Sequence, residues 1–149
     1  MTPDRMPAKE RAPRSVLFLC GMNAIRSPMA EVLARSLLPR DIFLASAGLR
    51  AGERDPFVDA VLAEKELTLG ERLPQSIEDL ADTNFDLIIT LSPEAHHRAL
   101  EMTRTIAAEV EYWPTMDPTV VSGTRDRIIE AYRDVRDRLA TAIASRFER

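Results

Sequence analysis

The chain alternates short apolar runs with longer stretches whose apolar residues recur every three or four positions. Val16-Leu17-Phe18-Leu19 is a continuous β-favouring run, the pattern of a strand buried on both faces of a parallel sheet. Ala30, Leu33, Ala34, Leu37 and Leu38 then form a helical stripe. Ser27-Pro28 supplies the helix start, with Ser27 as N-cap, Pro28 at the first helical position and Glu31 in the first turn, and Pro39 is the stop. Ile42–Ala45 reads as a second strand. Asp55-Pro56 opens another helix, with Phe57, Val58, Val61 and Leu62 facing inward and Gly70 following it. Ser76-Ile77-Glu78-Asp79 has capping-box spacing and predicts a short helical turn. Asp86–Leu91 is the clearest buried strand, and Ser92-Pro93-Glu94 repeats the cap-then-proline signal of a helix. Glu109–Trp113 predicts a fourth strand. The last helix runs from Thr124 to Phe147, with Ile128, Tyr132, Val135, Leu139, Ala142 and Ile143 at helical intervals.

Strands alternating with helices predict an α/β fold built on a parallel sheet. With 149 residues, the chain suits one domain. Met1–Arg14, with Pro3, Pro7 and Pro13 among mixed charges, reads as a disordered leader without the apolar core of a secretory signal. Residues 15–149 read as the single domain. The net charge of -4 argues against a nucleic-acid partner. The apolar runs fall well short of the ~20 residues that cross a bilayer, so no membrane partner is expected. One cysteine excludes an internal disulfide and a Cys-rich zinc site. With no export signal, the reducing cytoplasm is the expected address.

In open α/β sheets, ligands bind beyond the C-terminal ends of the strands. The first strand ends at Cys20. Gly21, Met22, Asn23, Ala24 and Ile25 follow, then Arg26-Ser27 at a helix start: Cys-x5-Arg-Ser at a strand-to-helix junction. Five residues at this junction can curl so that their N–H groups face inward, a concavity that binds a tetrahedral oxyanion. The helix adds its positive end. Arg26 can grip two oxygens with its planar fork. The same positive field favours a thiolate at Cys20, the form that attacks. Ser27 is close enough in sequence to donate to that sulfur. A thiolate attacking phosphorus needs an acid for the departing oxygen, and Asp117-Pro118 is the candidate. The competing readings are a small buried cysteine, a surface ion-pairing arginine and an ordinary Asp-Pro turn.

These residues resemble the low-molecular-weight protein tyrosine phosphatase family. Val16–Cys20, Asn23, Arg26-Ser27-Pro28 and Ala30-Glu31 look like its phosphate-loop signature, and Ser46-Ala47-Gly48 and Asp117-Pro118 fall where it has counterparts. The resemblance implies a three-layer fold, a four-stranded parallel sheet flanked by helices. It implies that Cys20 forms a phosphocysteine, that Arg26 binds the phosphoryl group, and that Asp117 protonates the leaving group and then activates water. Asn23 would hold the loop and Ser27 the thiolate. No metal or organic cofactor is implied, and the partner would be a phosphorylated protein or a small phosphomonoester. The chain departs from the family at Ile25, where many members have a second cysteine, and at Thr119-Val120, where tyrosine phosphatases usually carry tyrosines. A histidine that supports the loop asparagine in some members aligns with Glu71.

Two other readings share the loop. Thiol-dependent arsenate reductases have this fold, and Trp113 and Thr90-Leu91 look like that branch. Ser92 stands where a relay cysteine would be, so a reductase would need an external thiol. A non-catalytic phosphate-binding module would need neither Cys20 nor Asp117. A dinucleotide-binding reading fails because only Gly21 follows the first strand. His96-His97 reads as a solvated helix face and not as a metal site. Arg125, Arg127, Arg133, Arg136 and Arg138, interleaved with acids, read as a salt-bridged exposed face.

Overall fold

The computed structural model describes residues 12–148; of the leader read over residues 1–14, residues 1–11 lie outside them, whereas Arg14 is tied to the sheet, its N–H donating to Asp86 Oδ2 at 2.8 Å and its carbonyl accepting from Phe43 N at 2.8 Å. The order is β1 (Ser15–Cys20), α1 (Arg26–Leu37), β2 (Phe43–Gly48), α2 (Pro56–Ala63), β3 (Leu87–Thr90), α3 (Pro93–Met102), β4 (Glu109–Tyr112) and α4 (Arg125–Arg146). Short 3-10 turns form at Ile77–Asp79 and Pro118–Val120. The four strands lie in the order β2-β1-β3-β4, with every neighbouring pair parallel.

Alternation along the central strands sorts their side chains into two cores. Val16, Phe18, Leu87 and Ile89 face the side covered by α1, α2 and α4. Leu17, Leu19 and Ile88 face α3, where Ala95 and Ala99 meet them. Both faces being covered explains why β1 and β3 read as unbroken apolar runs. The resulting architecture has three layers, and its register places Cys20 beside Gly48 of β2.

Several boundaries differ from the sequence reading. Helix α1 begins at Arg26, with Ile25 at the N-cap and no side-chain cap. The Ser27 hydroxyl is turned into the protein instead. Glu31 is therefore beyond the first turn, and it is buried between Ser46 and Arg72, whose side chains donate to it at 2.7 and 2.8 Å. All residues from Ser27 to Ala34 are buried, because the sheet and α4 cover this helix on several sides, while Leu37 at its end is exposed. Strand β2 extends through Ser46-Ala47-Gly48, since Gln75 takes up hydrogen bonds along its outer edge.

On α4, the buried set is Ile129, Ala131, Tyr132, Val135, Arg136, Leu139 and Ile143. Ile128 and Ala142 are only half-buried. Arg136 is not part of an exposed face. It is 5% exposed, and its guanidinium donates to Val61 O, Glu64 and Asp137. The two histidines also separate. His97 is exposed and pairs with Glu101. His96 is half-buried, stacked on Tyr112 with 4.8 Å between ring centres, and its Nδ1 lies 3.0 Å from Thr90 Oγ1. Among the described residues, no group of three potential metal ligands forms, and no helix is long and apolar enough to cross a membrane.

Candidate active site

The site begins where β1 stops. Cys20 is buried at the end of the strand, and the loop from Gly21 to Ile25 leads into α1. Three carbonyls at the start of this loop point toward the segment after β2. Leu49 N donates to Cys20 O at 3.1 Å, Arg50 N to Gly21 O at 3.0 Å, and Gly52 N to Met22 O at 2.7 Å. A trans peptide plane directs its N–H opposite to its C=O. The N–H groups of Gly21, Met22 and Asn23 therefore point away from residues 49–52. Together with those of Ala24, Ile25, Arg26 and Ser27, they find no acceptor among the described residues. Such consecutive free donors at a helix N-terminus suit a tetrahedral oxyanion.

Asn23 makes the curl possible. Its φ is +52°, in the left-handed region that Asn tolerates better than most residues. Its side chain then locks the loop from inside: Oδ1 accepts from Gln75 N at 2.9 Å, and Nδ2 donates to Ser27 Oγ at 2.8 Å. Ser27 Oγ lies 2.9 Å from Cys20 Sγ and 3.3 Å from Ala47 O. The hydroxyl has one hydrogen and two possible acceptors. With a thiolate it can donate to sulfur. With a thiol, the sulfur can donate to Ser27 and the hydroxyl turns to Ala47.

Arg26 is half-buried at the first position of α1. Its Nη1 donates to Thr115 O at 2.9 Å and lies 3.5 Å from Leu91 O. Nε and Nη2 have no acceptor among the described residues, which leaves one edge of the fork for a ligand. The Thr115 contact reaches the segment carrying Asp117. That residue caps the Pro118–Val120 turn, its Oδ1 accepting from Thr119 N at 2.9 Å and from Thr119 Oγ1 at 2.7 Å. Tyr132 lies close by in electrostatic terms. Burial, the hydrogen bond to Asp55 Oδ2 at 2.7 Å and the charges of Asp55 and Asp117 all hold its phenol above the ordinary range.

Cys20, Asn23 and Ser27 are thus joined by side-chain hydrogen bonds, Arg26 is held beside them by Thr115, and Gly21, Met22, Ala24 and Ile25 leave backbone donors unengaged among the described residues. Sequence reasoning missed the residues that brace it. Gln75 serves Asn23 through its backbone N–H, where the family resemblance had drawn attention to Glu71, which is exposed. Residues 49–52 brace the loop through backbone groups as well, and no residue type signals that in advance. Ser46, Glu31 and Arg72 form a further chain behind the loop. Its only sequence trace was an acid in α1.

Fold and loop together place a buried cysteine beneath a run of unengaged backbone donors at the end of a parallel α/β sheet. Residues 15–147 match the family described as low molecular weight phosphotyrosine protein phosphatase, and the chain belongs to that family. An arsenate reductase of Bacillus subtilis (strain 168) is 31% identical over 132 residues, which is 86% of this chain and 91% of the relative. The low molecular weight protein-tyrosine-phosphatase Wzb of Escherichia coli (strain K12) is 33% identical over 99 residues, 64% of this chain and 67% of the relative. Among solved structures, the Erwinia amylovora tyrosine phosphatase amsI superposes with a TM-score of 0.73 at 22% identity, covering 95% of this chain and 97% of that one. That last similarity speaks for the fold.

Proposed function

We propose that the protein is a phosphomonoester hydrolase that works through a phosphocysteine and takes aryl phosphates, phosphotyrosine among them. The observation that carries this reading is the Ser27–Cys20 contact at the floor of a loop whose N–H groups find no acceptor among the described residues. The phosphoryl oxygens would take those donors and the free edge of Arg26. The Cys20 thiolate attacks phosphorus, the S–P bond forms and the P–O bond to the leaving group breaks. The electron pair goes to the departing oxygen, and Asp117 supplies its proton. In the second half, Asp117 takes a proton from water, the oxygen attacks phosphorus, and the S–P bond breaks to return the thiolate and inorganic phosphate. The cycle needs water and no further cofactor. A single free thiol as nucleophile suits a reducing, cytoplasmic setting.

The test is hydrolysis of an aryl phosphate by wild type and Cys20→Ser. Turnover is expected to vanish in the variant; equal rates would overturn the assignment.

Arsenate reduction is the second reading, favoured by the B. subtilis relative's name. Arsenate would occupy the same donors. Its reduction requires two electrons, and Cys20 is the only thiol in the chain, with Ser92 buried at the candidate relay position. A small external thiol would have to supply the rest. Arsenate turnover with glutathione or mycothiol, run beside phosphate-ester hydrolysis, separates the two readings.

A further inference from the structure

We infer that Thr119 is a positioning residue that decides which oxygen of the Asp117 carboxyl handles the proton. The inference rests on the acid–base role proposed above for Asp117.

Both hydrogen bonds from Thr119 land on the same atom. Its N–H donates to Asp117 Oδ1 at 2.9 Å, and its hydroxyl donates to the same oxygen at 2.7 Å. Asp117 Oδ2 has no hydrogen-bond partner among the described residues. A proton on Oδ1 would have to displace a donor already aimed at its lone pairs. The proton of the acid form therefore resides on Oδ2. Oδ1 remains a good acceptor whether the group is ionised or protonated, so the two bonds survive both halves of the cycle. They also oppose rotation of the carboxylate about its last torsion, which is otherwise soft.

The surrounding turn makes this arrangement rigid. Pro118 is buried and has no N–H to compete for the carboxylate. Val120 N donates back to Asp117 O at 3.3 Å, and Val121 N to Pro118 O at 3.2 Å, which closes the 3-10 turn. The N–H bond from position 119 is available to any residue but proline. The hydroxyl bond needs Thr or Ser. That second bond is the specific contribution of Thr119, and it pins Oδ2 as the oxygen that gives a proton to the leaving group and later receives one from water.

Thr119→Val removes the hydroxyl and keeps the shape and the N–H, while Thr119→Ser keeps both donors. The residue is exposed, so neither change disturbs the core. The experiment measures kcat/KM on phenyl phosphate, a poor leaving group, and on p-nitrophenyl phosphate, an activated one. The proteins are wild type, T119V, T119S, D117N and the double variant D117N/T119V.

In T119V, kcat/KM on phenyl phosphate should fall about fivefold, the effect of one ordinary hydrogen bond, with little change on the activated ester. T119S should restore it. In the D117N background, T119V should have no further effect. If D117N discriminates between the esters and T119V does not, the inference about Thr119 fails and the acid role stands. An equal loss on both esters in T119V, or a loss that persists in the D117N background, also overturns it. If D117N itself slows both esters equally, the acid role falls and the inference falls with it.

Discussion

A side-chain carbon added to Gly48 would lie 2.6 Å from the backbone nitrogen of Asn23. It would also lie 2.5 Å from Arg50 O and 2.7 Å from the Met22 carbonyl carbon. All three neighbours are backbone, so none can swing aside. Gly48 sits beside Cys20 in the sheet, and the curl of the loop passes directly over it.

Gly48→Ala should therefore damage the site more than the fold. We expect a stability loss of about 1–3 kcal/mol from overpacking. Affinity for inorganic phosphate, read by titration calorimetry, should drop by more than about tenfold as the displaced donors lose alignment. Wild-type phosphate affinity in this variant would show that the loop does not depend on the close approach.

Arg26→Lys should lower turnover of an aryl phosphate by about 100-fold or more, because an ammonium cannot hold Thr115 O and two substrate oxygens together. Steady-state rates at saturating ester decide it. A loss confined to KM would mean that the fork binds the ground state and transition state equally.

Stability should fall on the acid side through one identifiable cluster. Hydrogen bonds from Arg133 and then Arg136 hold the Glu64 carboxyl down at about 2, against an ordinary value of 4.5. Arg136 likewise lowers Asp137. A carboxylate depressed in the folded state contributes stability above its unfolded value and loses it as pH falls toward the folded one. The loss should occur between about pH 5 and pH 2. Urea midpoints across that range should decline less steeply in Glu64→Gln than in wild type; parallel curves would remove the cluster from the account.

Cys20 should be vulnerable to oxidation. With Ile25 beside Arg26 and no other thiol in the chain, a sulfenic acid at Cys20 has no internal cysteine to capture it. Excess peroxide should carry it to the sulfinic and sulfonic acids, which later addition of a thiol does not reverse, and saturating phosphate should protect. Mass spectrometry of the Cys20 peptide and recovery of activity after reduction report on this. Full recovery after prolonged exposure would contradict it.

What the sequence revealed follows from where the physics is local. The buried strands, Asp55 capping α2, Ser92 capping α3 and the capping box at Ser76 are short-range signals, and each is present. The strand-to-helix junction is legible because it spans eight consecutive residues, Cys20 to Ser27. Ser27 shows the limit: its type and spacing fit a helix cap equally well, and only its contacts with Cys20 across the loop and with Ala47 on the neighbouring strand decide its use. Arg136 fails for the same reason, since its partners Val61 and Glu64 are far away in the chain. Gln75 and residues 49–52 brace the loop through main-chain atoms, which no amino-acid type advertises.

The lacing of the first loop carbonyls to residues 49–52 has a practical outcome. On the proposed function, the receptor for the anion is complete once the chain folds, and nothing need reorganise when an anion arrives. Amides arranged in this way respond to tetrahedral shape and negative charge and are blind to the central element. Sulfate, vanadate and arsenate should all displace phosphate, and any assay run in phosphate or sulfate buffer would underestimate the protein's activity.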